Sequence, residues 1–163
     1  MESLLVITTG GTIDKVYFDA LSEFQVGEPV VAKILNNMNV AFDFECIEIC
    51  RKDSLELTDG DRNTLKDIIH RTQHKKILIT HGTDTMVKSA QTIGEQEDKT
   101  IVFTGAMQPA AFTETDAVFN IGTAIGALMS QGMTAGSYIA MSGQVYPASH
   151  VEKNYQNKRF EGK

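Results

Sequence analysis

Leu4-Leu5-Val6-Ile7-Thr8-Thr9-Gly10-Gly11-Thr12-Ile13 is the stretch on which the fold turns. A short apolar run closed by a glycine pair predicts a buried central strand from Leu4 to Thr8. A second stretch repeats the pattern: Ile77-Leu78-Ile79 leads into Thr80-His81-Gly82-Thr83-Asp84-Thr85-Met86. In an open α/β sheet, ligands bind beyond the carboxyl ends of the strands. Two such loops on neighbouring strands would face each other across one cleft. Threonine hydroxyls, backbone N–H groups and one carboxylate in that cleft suit attack on a small polar acyl group.

Working outward, strand-like and helix-like segments alternate. Val16 to Phe24 carries Val, Tyr and Phe without a clean period, as a hairpin or a mobile loop would. Pro29 opens a helix to about Asn37, because proline suits a first helical turn. Phe42 to Ile49 reads as a strand. Thr58-Asp59-Gly60-Asp61 begins a helix, with acidic residues in its first turn and Leu65, Ile68 and Ile69 at helical spacing. Lys76 to Thr80 is a strand, and Asp84 opens a helix striped by Met86, Val87, Ala90 and Ile93. Thr100 to Thr104 is a strand, and Thr115-Asp116 starts a helix holding Ile121, Ala124, Ile125 and Leu128. Ala135 to Met141 is a strand, Val145-Tyr146 a small continuation, and the polar residues from His150 onward are loop-like. Alternation of this kind predicts βαβ units in a three-layer α/β/α fold with a mainly parallel sheet.

The chain of 163 residues matches one domain, spanning 1–163, around a single core. Its net charge of −6 with scattered Lys and Arg leaves no nucleic-acid footprint and disfavours an anionic membrane surface. No apolar run is long enough to span a bilayer, and Met1 to Ile7 lacks the basic region of a signal peptide. A cytoplasmic location is expected. Cys46 and Cys50 fall on one face of a strand and read as buried or half-buried thiols rather than as metal ligands. No metal site is expected.

Taken singly, the loops have plain structural explanations. Gly10-Gly11-Thr12 makes a tight turn; it lacks the third glycine of a dinucleotide fingerprint and the Gly-Lys-Ser/Thr of a phosphate loop. Thr83 would cap the next helix and Asp84 would suit its dipole. His81, His70, His74 and His150 pair with no evident carboxylate, and no serine lies in a Gly-x-Ser-x-Gly elbow.

Taken together, the two loops resemble the active-site motifs of the bacterial-type L-asparaginase family. Gly105-Ala106-Met107-Gln108-Pro109 resembles a third block of that family, and Asp53-Ser54-Leu55-Glu56-Leu57-Thr58 more loosely resembles its substrate-binding loop. The likeness runs from the first strand to about Lys153. It implies a flavodoxin-like asparaginase N-terminal domain and an amidohydrolase that converts L-asparagine to L-aspartate and ammonia. Thr12 would match the nucleophile that forms a covalent acyl-enzyme. Thr83, Asp84 and Lys153 would match a hydroxyl–carboxylate–amine group, since a lysine held out of water beside a threonine can accept its proton. Asp84 would also attract the α-ammonium group of the substrate, and Ser54 would bind its α-carboxylate. Gly11, Thr83 and Ala106 complete the implied substrate site, with backbone N–H groups near Gly11 and Thr83 serving the oxyanion. No cofactor is implied.

The chain also departs from the family pattern. The family's mobile lid carries a tyrosine, where Ser22-Glu23-Phe24-Gln25-Val26-Gly27 here holds Phe24; Tyr17 is the nearby phenol. Leu55 stands where members often have a polar residue. Typical members are about twice as long, with a second domain that completes a neighbour's site. A homodimer or homotetramer is therefore expected to cover the open side. Phe24 and Leu55 also fit an alternative: a non-catalytic aspartate- or asparagine-binding protein on the same fold. A third reading, an ammonia-supplying subunit of a larger amidase, lacks any RNA-binding extension to support it.

Overall fold

A computed structural model describes residues 2–163. Its strands are β1 Leu4–Gly10, β2 Lys15–Phe18, β3 Glu23–Val26, β4 Phe44–Lys52, β5 Lys76–Thr80, β6 Thr100–Thr104, β7 Gly136–Met141, β8 Gln144–Pro147, β9 Val151–Asn154 and β10 Arg159–Gly162. The helices are α1 Val31–Asn37, α2 Asp59–Arg71, α3 Met86–Ile93 and α4 Ala117–Met129.

The main sheet has the order β4-β1-β5-β6-β7-β8, parallel except for β8, which runs back along β7. Numbering only the five parallel strands along the chain, the order is 2-1-3-4-5, that of a flavodoxin-like sheet. From β1 the chain crosses to one side to make β4, then returns to the other side to make β5. A crevice therefore opens beyond the carboxyl ends of β1 and β5, the two strands that carry the glycine–threonine loops.

Alternation along each strand builds two cores. Leu4 and Val6 of β1, Leu78 and Val102 face α1 and α4 through Val31, Leu35, Ala117, Ile121, Ala124 and Leu128. Leu5 and Ile7, with Ile77, Ile79, Ile101 and Phe103, face α2 and α3 through Leu65, Ile69, Ala90 and Ile93. The fold is thus the three-layer α/β/α arrangement expected. The α2 helix starts on a reciprocal cap: Thr58 Oγ1 accepts from the Asp61 N–H at 3.1 Å, and Asp61 Oδ2 accepts from the Thr58 N–H at 2.9 Å.

Several expectations need correction. The segment after His150 is an antiparallel hairpin, β9–β10, because Val151 and Phe160 bury themselves in the α2–α3 side core. Val145-Tyr146 lies in β8, which folds back antiparallel rather than continuing β7. Of the two readings of Val16 to Phe24, the hairpin holds, as β2–β3. Cys46 is exposed and Cys50 half-buried, because β4 is an edge strand of the sheet. The helix after β5 begins at Met86, and neither Thr83 nor Asp84 caps it; their side chains are drawn elsewhere.

Candidate active site

The two motif loops touch backbone to backbone. Gly11 has φ +96° and a methyl group on it would stand 2.5 Å from Gly82 Cα and N, so only glycine permits the approach. Gly82 is equally constrained, since a Cβ there would stand 2.6 Å from Ser54 Cβ. Thr12 and Thr83, each the next residue along, flank this contact. Thr12 opens a short 3-10 turn and is half-buried, whereas Thr83 is almost fully buried.

Lys153 reaches this point from the C-terminal hairpin. Its Nζ donates to Thr83 Oγ1 at 2.8 Å and to Asp84 Oδ1 at 2.7 Å. The register explains the reach: Lys153 stands opposite Phe160 in the β9–β10 ladder, so the two project from one face. Burying Phe160 carries Lys153 inward with it. Phe160 is held further by its N–H on Ser142 Oγ at 3.2 Å and its carbonyl under Tyr146 OH at 3.3 Å. The Lys153 ammonium lowers the Asp84 carboxyl below its usual value, more than partial burial raises it.

Tyr155 joins the group, and no sequence pattern pointed to it. Its hydroxyl donates to Asp84 Oδ1 at 3.0 Å, and Lys153 Nζ lies 4.7 Å from its ring centroid. Partial desolvation and the Asp84 charge raise its phenol above the usual range. Tyr155 begins the turn just after β9, and no local pattern singles out a turn tyrosine as a partner of Asp84.

The implied substrate residues sit as follows. Ser54 is buried between loops, where its Oγ accepts from the Thr85 N–H at 3.3 Å and its carbonyl accepts from Thr85 Oγ1 at 2.8 Å. Leu55 beside it is 73% exposed and borders open space. The Gly11 N–H donates to the Lys52 carbonyl at 2.9 Å, so the next N–H near Gly11 that could serve an oxyanion is that of Thr12. Ala106 has its methyl in the α1–α4 side core and offers only its backbone to the cleft. Its loop is held by Asp116, whose carboxylate accepts from the Met107 and Gln108 N–H groups at 2.9 and 3.0 Å.

The β2–β3 hairpin stands beside the site. Phe24 packs edge-on against Tyr17, with ring centroids 5.4 Å apart, and against Phe112, 5.5 Å apart. Lys15 ties the base of the hairpin to Asp53 at 2.9 Å. Asp14 clamps both ends: its carbonyl accepts from the Gly27 N–H at 2.9 Å and its Oδ1 from the Val30 N–H at 3.0 Å. Burial pushes the Asp14 carboxyl up to about 7. Among the described residues, no cluster of three His, Cys, Asp or Glu side chains is arranged to hold a metal, and no helix is long and apolar enough to cross a membrane.

Comparison with known proteins places the fold and the family. The chain is 24% identical over 164 residues to the glutaminase-asparaginase of Acinetobacter glutaminasificans, covering 93% of this chain and 50% of that one. It superposes on the thermostable L-asparaginase from Thermococcus kodakarensis with a TM-score of 0.82 at 24% identity, covering 98% of this chain and 51% of that one. A probable cytoplasmic L-asparaginase from Campylobacter jejuni gives 0.80 at 22%, covering 99% and 52%. The chain thus spans about half the length of the curated relatives it matches. A family model described as asparaginase, N-terminal, matches residues 3–161, and the chain belongs to the asparaginase family.

Proposed function

We propose that this chain hydrolyses the side-chain amide of L-asparagine to L-aspartate and ammonia through a threonine ester. The observation that carries the reading is the joining of Thr83, Asp84 and Lys153 within 2.8 Å across about seventy residues of chain. Thr12 Oγ attacks the amide carbon, ammonia leaves, and a β-aspartyl ester remains on Thr12. Water then attacks the ester carbon and restores the Thr12 hydroxyl. Lys153 Nζ is placed to exchange a proton with Thr83 Oγ1, and Asp84 holds the lysine in reach. Lys153 and Tyr155 both meet Asp84 at Oδ1, which leaves Oδ2 for the α-ammonium group of the substrate. Ser54 offers its hydroxyl proton to the α-carboxylate. Backbone N–H groups at Thr12 and Thr83 serve the oxyanion. We place the protein in the cytoplasm and infer that a second copy, in a homodimer or homotetramer, covers the open side.

The test is ammonia release from purified protein with L-asparagine, L-glutamine and D-asparagine, with Thr12→Ala as control. Release from L-asparagine that disappears in the control supports the reading. No release, together with a rise in melting temperature on adding aspartate or asparagine, supports instead a binding protein without turnover. One observation favours that second reading: the lid position holds Phe24, packed edge-on against Tyr17 and Phe112, and a phenyl ring relays no proton.

A further inference from the structure

Behind the cleft lies a buried polar chain that the hydrolytic group does not use. His81 sits at the end of β5 and is fully enclosed. Its Nδ1 lies 2.6 Å from the Gly82 carbonyl oxygen and its Nε2 lies 2.7 Å from Ser89 Oγ of α3. Ser89 Oγ in turn accepts from Arg62 Nε of α2 at 3.0 Å, and Arg62 Nη1 donates to the Leu57 carbonyl at 3.1 Å.

Both ends of this chain have a forced direction. A carbonyl oxygen can only accept, so Nδ1 carries the ring proton. A guanidinium can only donate, so Ser89 Oγ accepts from Arg62 and spends its own proton on Nε2. The tautomer of His81 follows without any hydrogen being seen. Burial, reinforced by the Arg62 charge, pushes the imidazolium down to about 4, so the ring is neutral at ordinary pH.

The far end of the chain matters for the site. In a trans peptide the C=O and the next N–H are coplanar and point in opposite directions, and the described residues contain no cis bond. The Gly82 oxygen is drawn toward His81 in the core. The N–H of the same peptide belongs to Thr83 and therefore points away from that core, toward the cleft.

We propose that Arg62, Ser89 and His81 are positioning residues, a relay that fixes His81 as its Nδ1–H tautomer and so sets the plane of the Gly82–Thr83 peptide. The set plane aims the Thr83 N–H at the oxygen where negative charge develops; this last step rests on the hydrolysis proposed above. Packing alone does not require such a chain. A buried guanidinium is costly, and the nearest carboxylate to Arg62 is Asp59 at 3.7 Å, whose side chain is 88% exposed and offers little in return.

The experiment has two arms. Long-range proton–nitrogen NMR of protein carrying labelled histidine reads the His81 tautomer in the wild type, and the amide spectrum reads Thr83. The expected result is a neutral Nδ1–H ring, with the Thr83 amide signal displaced in Ser89→Ala and returned in Ser89→Thr. A wild-type ring protonated on Nε2 overturns the relay, and needs no variant to fold. In the second arm, Ser89→Ala is expected to lower kcat for ammonia release about ten- to hundredfold, with KM changed less than about threefold, because a misaimed oxyanion donor weakens transition-state binding. Ser89→Thr is expected to restore it. Wild-type kcat in a folded Ser89→Ala protein overturns the positioning role. An inactive wild type would defeat the hydrolysis and the oxyanion step with it, while the NMR arm still decides whether the relay sets the peptide.

Discussion

The two small hairpins of this protein have strands of equal length and differ in what holds them. In β9–β10, Val151 and Phe160 enter the core beside α2 and α3, and the ladder hands Lys153 to the loops at the switch point. In β2–β3, no side chain is buried in either core, and Tyr17, Phe18, Leu21 and Phe24 all remain about half exposed. That hairpin is secured at its base, by Asp14 and Lys15, and at its side by Phe112. The first is a fixed support for a reactive group. The second is a flap whose position depends on a few contacts at its foot. A hairpin of four-residue strands is marginal alone, so what it buries decides which of these it becomes.

The comparison breaks most sharply at Lys153. Lys153→Met keeps the aliphatic stem and removes the donor to Thr83 and Asp84. Ammonia release is expected to fall by about two to four orders of magnitude, with unfolding by denaturant little changed. Retained activity would remove the C-terminal hairpin from the chemistry.

Next in size is the anchor. Phe160→Ala is expected to cost about 3–5 kcal/mol in equilibrium unfolding. It should also lower activity, because Lys153 shares its face of the ladder. Leu21→Ala, on the flap, is expected to stay within about 0.5 kcal/mol of the parent. Equal effects at the two positions would erase the distinction between support and flap.

Asp14 sharpens the account of the flap. Its carboxyl is raised in the folded protein to about 7, so folding favours the protonated form. The stability it contributes is fully present below the unfolded value of 3.8 and is lost as the pH rises through about 7. His81, pushed down to about 4, has the opposite sign: its contribution is present above 6.5 and is lost as the pH falls through about 4. Asp14→Asn keeps an acceptor for the Val30 N–H and carries no charge. Its melting temperature is expected to exceed that of the parent at pH 8, with the advantage gone at pH 4. An advantage independent of pH would place the Asp14 effect outside titration.

The smallest expected effect is at Tyr155. Tyr155→Phe keeps the ring under Lys153 and removes the hydroxyl from Asp84. Asp84 loses the lesser of the two hydrogen bonds that lower its carboxyl, so the acid limb of the pH–rate profile should move to higher pH. The maximal rate should change by a few-fold at most. An unmoved acid limb would mean that the hydroxyl leaves Asp84 during turnover.

Much of this architecture is legible in short windows of sequence. The apolar runs before Thr8 and Thr80 mark central strands, because burial on both faces demands continuous hydrophobic residues. The start of α2 is legible at Thr58 and Asp61, since a cap involves residues three apart. The loops Gly10-Gly11-Thr12 and Gly82-Thr83-Asp84 are legible as strand ends, and their family resemblance picks out the residues that the fold brings together. The tail from His150 was not legible as structure. Its strands carry Glu, Lys, Asn and Arg, and only two residues, Val151 and Phe160, reveal the face that is buried.

By itself, then, the sequence determined the α/β alternation and the two switch-point loops, because those signals are local: strand periodicity, caps and glycine at sharp turns act within a few residues. The family resemblance named Thr83, Asp84 and Lys153 as one group, whereas tertiary structure alone decided that neither loop residue caps α3, that Tyr155 joins them, and that the Gly11 N–H is taken by Lys52. It also decided that Arg62, Ser89 and His81 line up behind Gly82. Each of these depends on groups far apart along the chain being packed to within hydrogen-bonding distance. Burial of Phe160, the pairing of β1 with β4 and the docking of α2 and α3 on the sheet bring them there, and no local pattern carries that information.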